Sequence, residues 1–391
     1  MGLRTPAGFI SAFFDPLKNP DAPTDVTASP GSTDVSVSFT APTNAGGSAI
    51  TAYYAVASDG TTATAATSPI TVSGLTAGTS YTFNVWALNS YGPGVWSSAS
   101  NSASPAGQRG LFAGTNTIYY INLASTGNAT YFGSTAVYNG PGGCASSTRG
   151  LFGGSIFTST RSSIIDYVTI ASTGNATTFG NLTSARYGIG GCSNSTRGLF
   201  GGGNTAAGNV GTIDYVTIAT LGNAASFGAL YGGILYNAPG ACASPTRGVW
   251  GGGLTSGTTT TSYMSYVTIA TLGDATYFGN LTQARFILSG ASNSTRGVFD
   301  GGYNYSIGAL SRIDYITIAT EGNATTFGSL SSGWQYTAAC SSPTIAVFAS
   351  AVTQGTSEYI TFASTGNSTT FGDLSVGSNG IAGCSNCHGG I

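Results

Sequence analysis

Apolar and polar residues alternate along most of the chain, in short runs separated by Gly, Pro, Asn and Asp. Between residues 20 and 105, alternation of this kind occupies 34–39, 50–56, 70–72 and 81–87. Runs of three to seven residues with period two predict strands that bury one face. With no helical period between them, these runs predict a β-sandwich.

From about residue 107 a pattern repeats with a period near 48 residues. Its anchor is Arg-Gly, then two apolar residues and usually Gly-Gly, beginning at Arg109, Arg149, Arg197, Arg247 and Arg296. Ile345 and Gly389 hold the Arg position in a degenerate copy and a final half-copy. The best-preserved repeat has four strand-like pieces, 189–194, 197–200, 213–219 and 224–228. Four short strands in such a period indicate a propeller blade.

The order of the strand-like pieces predicts how the repeats close. Each of the four pieces occurs six times, but copies of the first piece run only from Val137 to the end of the chain. The opening repeat therefore lacks a first strand, and residues 380–386 supply a surplus one. We expect a six-bladed propeller closed by this C-terminal strand, which hides the edge strands. The expected domains are an arm at 1–19, a sandwich at 20–105 and a propeller at 107–391.

Two segments resemble known families. The run from Leu75 to Gly92, with Pro20-Asp-Ala-Pro23 ahead of it, closely resembles a fibronectin type III domain. Tyr81 matches the corner tyrosine of that family, Leu75 matches the apolar residue before it, and Phe39 replaces a usual Trp. The Gly-Gly pairs, the aromatic residue in each third strand and the Ala-Arg pairs (Ala185-Arg186, Ala284-Arg285) resemble Kelch repeats. These resemblances imply a fold and name no ligand.

Composition narrows the function. Charged residues are 6% of the chain, the net charge is −2 and Lys18 is the single lysine. The chain therefore has too few cations to neutralise the phosphates of a nucleic acid, and we do not expect it to bind one. The sequence has no apolar run of membrane-spanning length and no signal-peptide layout, so we expect no membrane insertion and synthesis in the cytoplasm.

The sequence predicts neither an enzyme nor a cofactor. His388 is the single histidine, which leaves no Ser-His-Asp or Cys-His arrangement, and the acids are mostly isolated. Cys384-Ser-Asn-Cys-His388 matches a haem-attachment pattern, but it aligns with Cys192-Ser-Asn-Ser-Thr196, so the repeat accounts for it.

The repeated residues are expected to be structural. Five cysteines precede the anchors by five residues, with Ala291 in the sixth place, and we expect small buried thiols; Cys387 either pairs with Cys384 or stays free. The repeated Phe and Tyr predict packing between blades. We expect the anchor arginines to bind backbone carbonyls or the Asp of Ile-Asp-Tyr. The alternative is that the arginines are arranged in a circle that binds an anion. The Asn-x-Ser/Thr sequences indicate turns.

One rim of the propeller is the candidate binding surface. Its loops differ between repeats, whereas the Ser-Thr-Gly-Asn-Ala-Thr turns of the opposite rim are nearly identical. Exposed aromatic residues beside Asn and Thr suit sugars, so we expect a weak contact with a glycan or cell surface. Tyr303, Tyr305 and Trp334 form its centre, with Tyr231, Tyr263 and Phe157 around them. The alternative is that these residues only cap the blade ends.

The apolar arm completes the sequence-based hypothesis. Leu3, Phe9, Ile10, Phe13, Phe14 and Leu17 either pack on the next domain or anchor the chain in a partner assembly. An arm, one fibronectin type III domain and a low-charge propeller resemble a virion structural protein of tailed bacteriophages, such as those of marine bacteria. The resemblance lies in the sequence segments 52–56, 86–94 and 165–177.

The phage resemblance implies a non-enzymatic virion appendage or decoration protein. Its arm would bind other virion proteins, and its propeller would face outward to contact a host glycan or protein. It would be a homo-oligomer or present in multiple copies per virion. The alternatives are a purely structural capsid or tail component, and a polysaccharide-degrading enzyme, which would need clustered acids on the variable rim.

Overall fold

The computed structural model describes residues 17–31, 33–77, 79–105, 107–231, 238–255, 257–350, 355–374 and 380–391. The chain divides into two compact units, 1–106 and 107–391. The described residues of both units form strands, turns and loops and contain no α-helix, which confirms the predicted all-β fold. Across those residues, nothing forms a helix long and apolar enough to cross a membrane.

The N-terminal unit consists of two antiparallel sheets. One has the strand order Thr24–Pro30, Asp34–Thr40 and Ile70–Ser73. The other has the order Thr62–Ala65, Ala52–Ala57, Phe83–Asn89 and Gly92–Pro93. Alternate residues such as Val35, Val37 and Val85 are fully buried in one shared core, as the period-two pattern predicts.

The corner of the sandwich forms around Tyr81. Its ring is buried beside Leu75, and its hydroxyl oxygen accepts a hydrogen bond of 3.0 Å from the backbone N–H of Thr76. Phe39 is also buried, with its ring 4.8 Å from that of Tyr53. Phe39 therefore fills the core position where the fibronectin family usually has a tryptophan.

The described residues of the C-terminal unit form six large antiparallel sheets, each with four main strands and numbered here as sheets 1 to 6, and one small two-stranded sheet. From first to fourth strand, sheet 1 is Ala382–Ser385, Arg109–Gly114, Thr117–Asn122 and Thr130–Ser134; sheet 2 is Gly142–Ala145, Arg149–Phe157, Thr160–Thr169 and Thr177–Asn181; sheet 3 is Gly190–Ser193, Arg197–Gly201, Thr212–Thr217 and Ala225–Ala229. Sheet 4 is Gly240–Ala243, Arg247–Gly251, Tyr263–Thr268 and Thr276–Asn280; sheet 5 is Ser289–Ser292, Arg296–Asp300, Gly308–Thr317 and Thr325–Trp334; sheet 6 is Thr337–Ser341, Ile345–Ser350, Thr356–Thr361 and Thr369–Asp373. Tyr303–Asn304 adds to sheet 5, and Asn204–Thr205 pairs with Gly208–Asn209.

The first strands of the six sheets are neighbours in a cyclic order. Each lies beside the first strand of the next sheet, and that of sheet 6 lies beside that of sheet 1. In sheet 1 the first strand comes from the far end of the chain, because Ala382–Ser385 pairs antiparallel with Arg109–Gly114. The predicted surplus strand therefore covers the edge that the opening repeat would leave exposed.

The nearly identical turns connect adjacent sheets by hydrogen bonds, and we call each such connection a latch. In sheet 3, the N–H of Gly222 donates to the carbonyl of Phe179 in sheet 2 (3.1 Å), and Asn223 Oδ1 accepts from the N–H of Asn181 (3.0 Å). A Cβ at Gly180 would overlap the carbonyl oxygen of Gly222, which explains the Phe-Gly sequence. The same pair of hydrogen bonds recurs at all six junctions, with Asp274 in one Asn position. The Asn residues of these turns are thus turn and latch residues.

The anchor arginines also join neighbouring sheets. Arg149 Nη1 donates to the carbonyls of Ile218 and Ala219 in sheet 3, at 3.0 and 2.8 Å, while its guanidinium lies 5.0 Å from the ring centre of Tyr167. The other four anchors repeat both contacts. Of the two partners predicted for the anchor arginines, backbone carbonyls and Asp, they bind the backbone carbonyls. The buried Asp214 and Asp314 pair instead with Arg186 (3.0 Å) and Arg285 (2.9 Å).

Candidate functional site

The segments that join adjacent sheets meet around a cavity of about 440 Å³. These segments run from the fourth strand of one sheet to the first strand of the next, and all six junctions contribute lining residues. The wall is formed by 139–141, 187–189, 238–239, 286–288, 336–337 and 380–381, with Ile156, Leu254 and Tyr305 from the loops between second and third strands. This is the rim on which the sequence placed its variable loops.

Six equivalent backbone positions form a ring around the cavity. Each has a left-handed backbone conformation, with φ between 51° and 94°, and they are Gly140, Gly188, Ala238, Ile287, Tyr336 and Gly380. Five backbone hydrogen bonds of 2.7–3.1 Å run from one member to the next, from Tyr336 N–H around to the carbonyl of Gly380. This hydrogen-bonded ring fixes the shape of the cavity wall.

The ring has two unlike halves. Sheets 1, 2 and 3 contribute the glycines, whereas sheets 4, 5 and 6 contribute Ala238, Ile287 and Tyr336. The glycine half is packed tightly, since a Cβ at Gly140 would lie 2.9 Å from the backbone nitrogen of Gly188. The left-handed conformation suits glycine and costs other residues about 1–2 kcal/mol each. A β-branched residue such as Ile287 is a genuine outlier there.

Aromatic rings cover the side-chain half. Tyr305 stacks on Phe286 with ring centres 5.3 Å apart and planes at 17°, and Tyr303 contacts both edge-on at 5.6–6.0 Å. Burial raises the pKa of Tyr336, and the neighbouring Tyr187 and Tyr305 raise it further. The hydroxyl of Tyr336 therefore stays neutral at physiological pH.

The polar groups of the wall carry no formal charge. Among the described residues that line the cavity there is no Asp, Glu, Lys, Arg or His. Asn139 brings a side-chain oxygen that is buried and accepts no hydrogen bond from the described residues. Such a wall can stack on an apolar face and hydrogen-bond a neutral polar edge.

The structure brings only some of the predicted aromatic residues to this cavity. Tyr305, half exposed, lies in the wall, and Tyr303 packs against it. Phe157 is 54% exposed and packs on Tyr138 at 4.3 Å, next to the lining residue Ile156. Tyr231 and Tyr263 are also exposed, but both contact Tyr277 at 5.5–6.0 Å on sheet 4 and do not line the cavity.

The predicted exposure of Trp334 is wrong. This residue is 1% exposed and closes the strand Thr325–Trp334, where it pairs with Leu310. Its indole N–H donates to Ser332 Oγ at 3.0 Å. The sequence suggested an inter-blade turn here, but the fourth strand of sheet 5 extends for ten residues and carries the side chain into the core.

Sequence reasoning missed the residues that give the cavity its asymmetry: Tyr187, Phe286, Ile287 and Tyr336. The available signal was the loss of glycine at the ring position in three consecutive repeats. In every repeat this position lies nine residues before the anchor, so aligning the repeats on their anchors places it in register. The sequence does not show, however, that the position has a left-handed backbone or that it borders a cavity.

The opposite end of the channel between the first strands is covered by residues 387–391. His388 Nε2 lies 3.0 Å from the carbonyl oxygen of Ala145, and the N–H of Gly389 donates to Ser292 at 2.9 Å. Cys387 Sγ contacts the carbonyl of Ser341 at 3.6 Å. Burial lowers the pKa of His388. His388 Nε2 also lies 3.2 Å from Ser193 Oγ, so the segment touches four first strands, and Cys387 and His388 of the haem-like pattern serve this packing.

All six cysteines are buried and free, including Cys384 and Cys387. Burial raises the pKa of each thiol, to about 12 for Cys387. Protonated, buried thiols behave as small apolar groups. They are packing residues, as the sequence predicted.

The candidate anchor can be followed only at its end. Leu3, Phe9, Ile10, Phe13 and Phe14 lie outside the described residues. Leu17 is 63% exposed, and the next residue, Lys18, donates its N–H to the carbonyl of Gly46 at 3.0 Å. The anchor role of residues 1–19 stays a prediction.

Comparison with known proteins identifies part of the chain. Residues 21–103 match the fibronectin type III domain family. No curated protein matches the chain significantly. With the two-sheet core and the corner at Tyr81, residues 21–103 are a fibronectin type III domain.

Proposed function

We propose that the chain is a non-enzymatic adhesion protein whose C-terminal unit is a six-bladed, Kelch-like β-propeller closed by its terminal strand. The cyclic order of the six first strands and the latches at all six junctions support the propeller. The fibronectin type III domain acts as a spacer, and the rim that bears the cavity contacts a glycan or protein on a cell surface.

The observation that carries the adhesion function is the uncharged cavity on the rim with variable loops. Aromatic and apolar walls with a few convergent polar groups are the usual form of a small-molecule site. Six loops supply this wall, so its chemistry can vary while the latched sheets stay the same.

The positions of the acids support a non-enzymatic function. Asp214 and Asp314 pair with buried arginines, and Asp166 accepts hydrogen bonds from Thr135 and Ala136. Glu358 accepts from the hydroxyls of Ser331 and Ser368. These carboxylates hold adjacent strands together inside the unit and do not face the cavity.

A glycan array tests the adhesion function with the full chain. We expect binding to neutral bacterial surface oligosaccharides, which Tyr305→Ala weakens at least about tenfold through loss of a stacking ring. The matched control is Tyr131→Ala, because Tyr131 is equally exposed (53% against 50%) on an outer strand away from the cavity. Equal loss in both variants, or no binding at all, contradicts the proposal.

The phage resemblance supplies the setting that we propose for this adhesion. The chain would be a virion appendage or decoration protein, in multiple copies, held by residues 1–19. Deleting those residues should abolish incorporation into particles while both units stay folded. Normal incorporation of the truncated chain, measured by quantitative mass spectrometry of purified virions, would remove the anchor role.

A further inference from the structure

We infer that the cavity binds one neutral sugar ring at the end of a glycan, stacked on the side-chain half of the ring of six left-handed residues. This inference deepens the proposed adhesion function and rests on it. It names the ligand class, its charge and the half of the cavity that holds it.

The two halves of the ring carry different residues. Glycine at Gly140, Gly188 and Gly380 shows that the fold accepts glycine at this position. Ile287 and Tyr336 instead hold a backbone conformation that is unfavourable for them, with φ of 51° and 54°. Both side chains line the cavity. Ile287 packs with Leu254 and Phe286, and Tyr336 packs against that cluster, so the two side chains build an apolar wall for the cavity. Backbone strain of this kind concentrates at ligand sites.

The chemistry of the wall selects the ligand class. A pyranose has an apolar C–H face and hydroxyls at its edge. Tyr305 and Tyr336 offer rings for the face, while the hydroxyl of Tyr187 offers a partner for the edge. A charged ligand would lose its hydration without an opposite charge among the described wall residues, which disfavours anionic sugars and nucleotides.

The size and rigidity of the cavity fit a single ring. Its volume of about 440 Å³ lies at the lower end of the range for small-molecule sites, roughly 300–1,000 Å³. Hydrogen bonds already fix the wall, so little conformational freedom is lost on binding. The three glycines have no side chains, so the side-chain half of the ring is the half that offers a stacking surface.

The test compares Tyr336→Gly with the unmodified full chain. Saturation-transfer NMR with the methyl glycosides of glucose, galactose, mannose and N-acetylglucosamine should detect at least one ligand, and none for N-acetylneuraminic acid. Tyr336→Gly should weaken that binding at least about tenfold, the effect of losing a stacked ring. Its melting temperature should fall only slightly, because the relief of the left-handed backbone offsets part of the packing that the Tyr336 ring loses.

Asn116→Gly is the matched control. Asn116 also has a left-handed backbone, with φ of 64°, but it lies in a hairpin turn that does not line the cavity. This variant should keep sugar affinity within about twofold. A smaller substitution, Tyr336→Phe, keeps the ring and removes the hydroxyl; it should retain stacking and confirm that a folded cavity is being measured.

Three results would overturn the inference: no binding of any neutral glycoside, undiminished binding by a folded Tyr336→Gly variant, or preference for the anionic sugar. Failure of the adhesion function gives a different result. If the free sugar binds but the glycan array stays blank, the site stands and adhesion fails. If the chain binds the glycan array and Tyr336→Gly does not weaken that binding, adhesion lies on another surface.

Discussion

The contacts between adjacent sheets depend on pairs of residues with matched volumes. Each cysteine of a first strand projects toward the Gly of the next Arg-Gly anchor; a Cβ at Gly198, for example, would lie 2.6 Å from Cys144 Sγ. Five junctions have this Cys and Gly pair. At the remaining junction both partners change together, to Ala291 and Ala346, which share one buried cluster. Volume lost on one strand is regained on its neighbour.

A double-mutant cycle at this junction tests the volume match. Ala291→Cys alone should destabilise the C-terminal unit by about 1–3 kcal/mol through overpacking. Ala346→Gly alone should cost about 1 kcal/mol. The double variant should be more stable than the sum of these costs predicts, by at least about 1 kcal/mol in urea unfolding. Strictly additive effects would show that the two positions do not contact each other.

Asp300 gives the C-terminal unit a pH dependence that its neighbours lack. It is fully buried where sheets 2, 3 and 4 have Gly153, Gly201 and Gly251. Burial raises its pKa from 3.8 to about 7, against the opposing effects of Ser289, Arg285 and Thr337. Between these two values the folded state holds a proton that the unfolded state has released, so the free energy of unfolding falls as pH rises.

We expect the unmodified unit to lose up to about 4 kcal/mol more than Asp300→Asn between pH 4 and pH 7.5. The variant keeps a hydrogen-bonding side chain beside Ser289 but does not titrate. Urea unfolding of both proteins across this range is the measurement. Because every other titrating group is shared, parallel stability curves would contradict a raised pKa for Asp300.

At the scale of strands, the sequence predicted most of what the structure contains. In the sandwich, alternation located Asp34–Thr40, Ala52–Ala57, Ile70–Ser73 and Phe83–Asn89 within two residues. It missed Thr24–Pro30 and Thr62–Ala65, since both strands carry mostly exposed small polar residues and bury few side chains. The sequence did not predict the length of the fourth strand of sheet 5. The residues that extend this strand are of types that also suit a turn.

The C-terminal strand is the element on which the first sheet depends. Removing residues 380–391 would leave Arg109–Gly114 with an unpaired edge and would remove Cys384, which packs against Gly150 of sheet 2. Exposed edges of this kind promote association. We expect a lower melting temperature and soluble oligomers by size-exclusion chromatography with light scattering.

A synthetic peptide of residues 380–391 is the matching rescue, since it can add back the missing strand. Added to the truncated chain, it should restore the oligomeric state and the melting temperature of the unmodified chain, whereas a scrambled peptide should not. A truncated chain with unchanged oligomeric state and stability would show that the strand pairing with Arg109–Gly114 contributes little.

At the scale of the whole molecule, the repeat period and strand order predicted six sheets and the source of the first strand in sheet 1. The cavity could not be predicted in the same way. It depends on the backbone conformation of six inter-sheet segments and on their meeting around one axis, and Ile287 and Tyr336 differ from glycine without any change of polarity pattern. Such a site arises from geometry that single-sequence periodicity does not encode.

The most direct test of an adhesive face at this cavity is hydrogen–deuterium exchange of the full chain, with and without the array oligosaccharide that binds best. We predict slower exchange in 139–141, 187–189, 286–288 and 336–337, the segments of the cavity wall. The latch turns and the fibronectin type III domain should be unchanged. Protection confined to those turns or to the fibronectin domain would contradict the account.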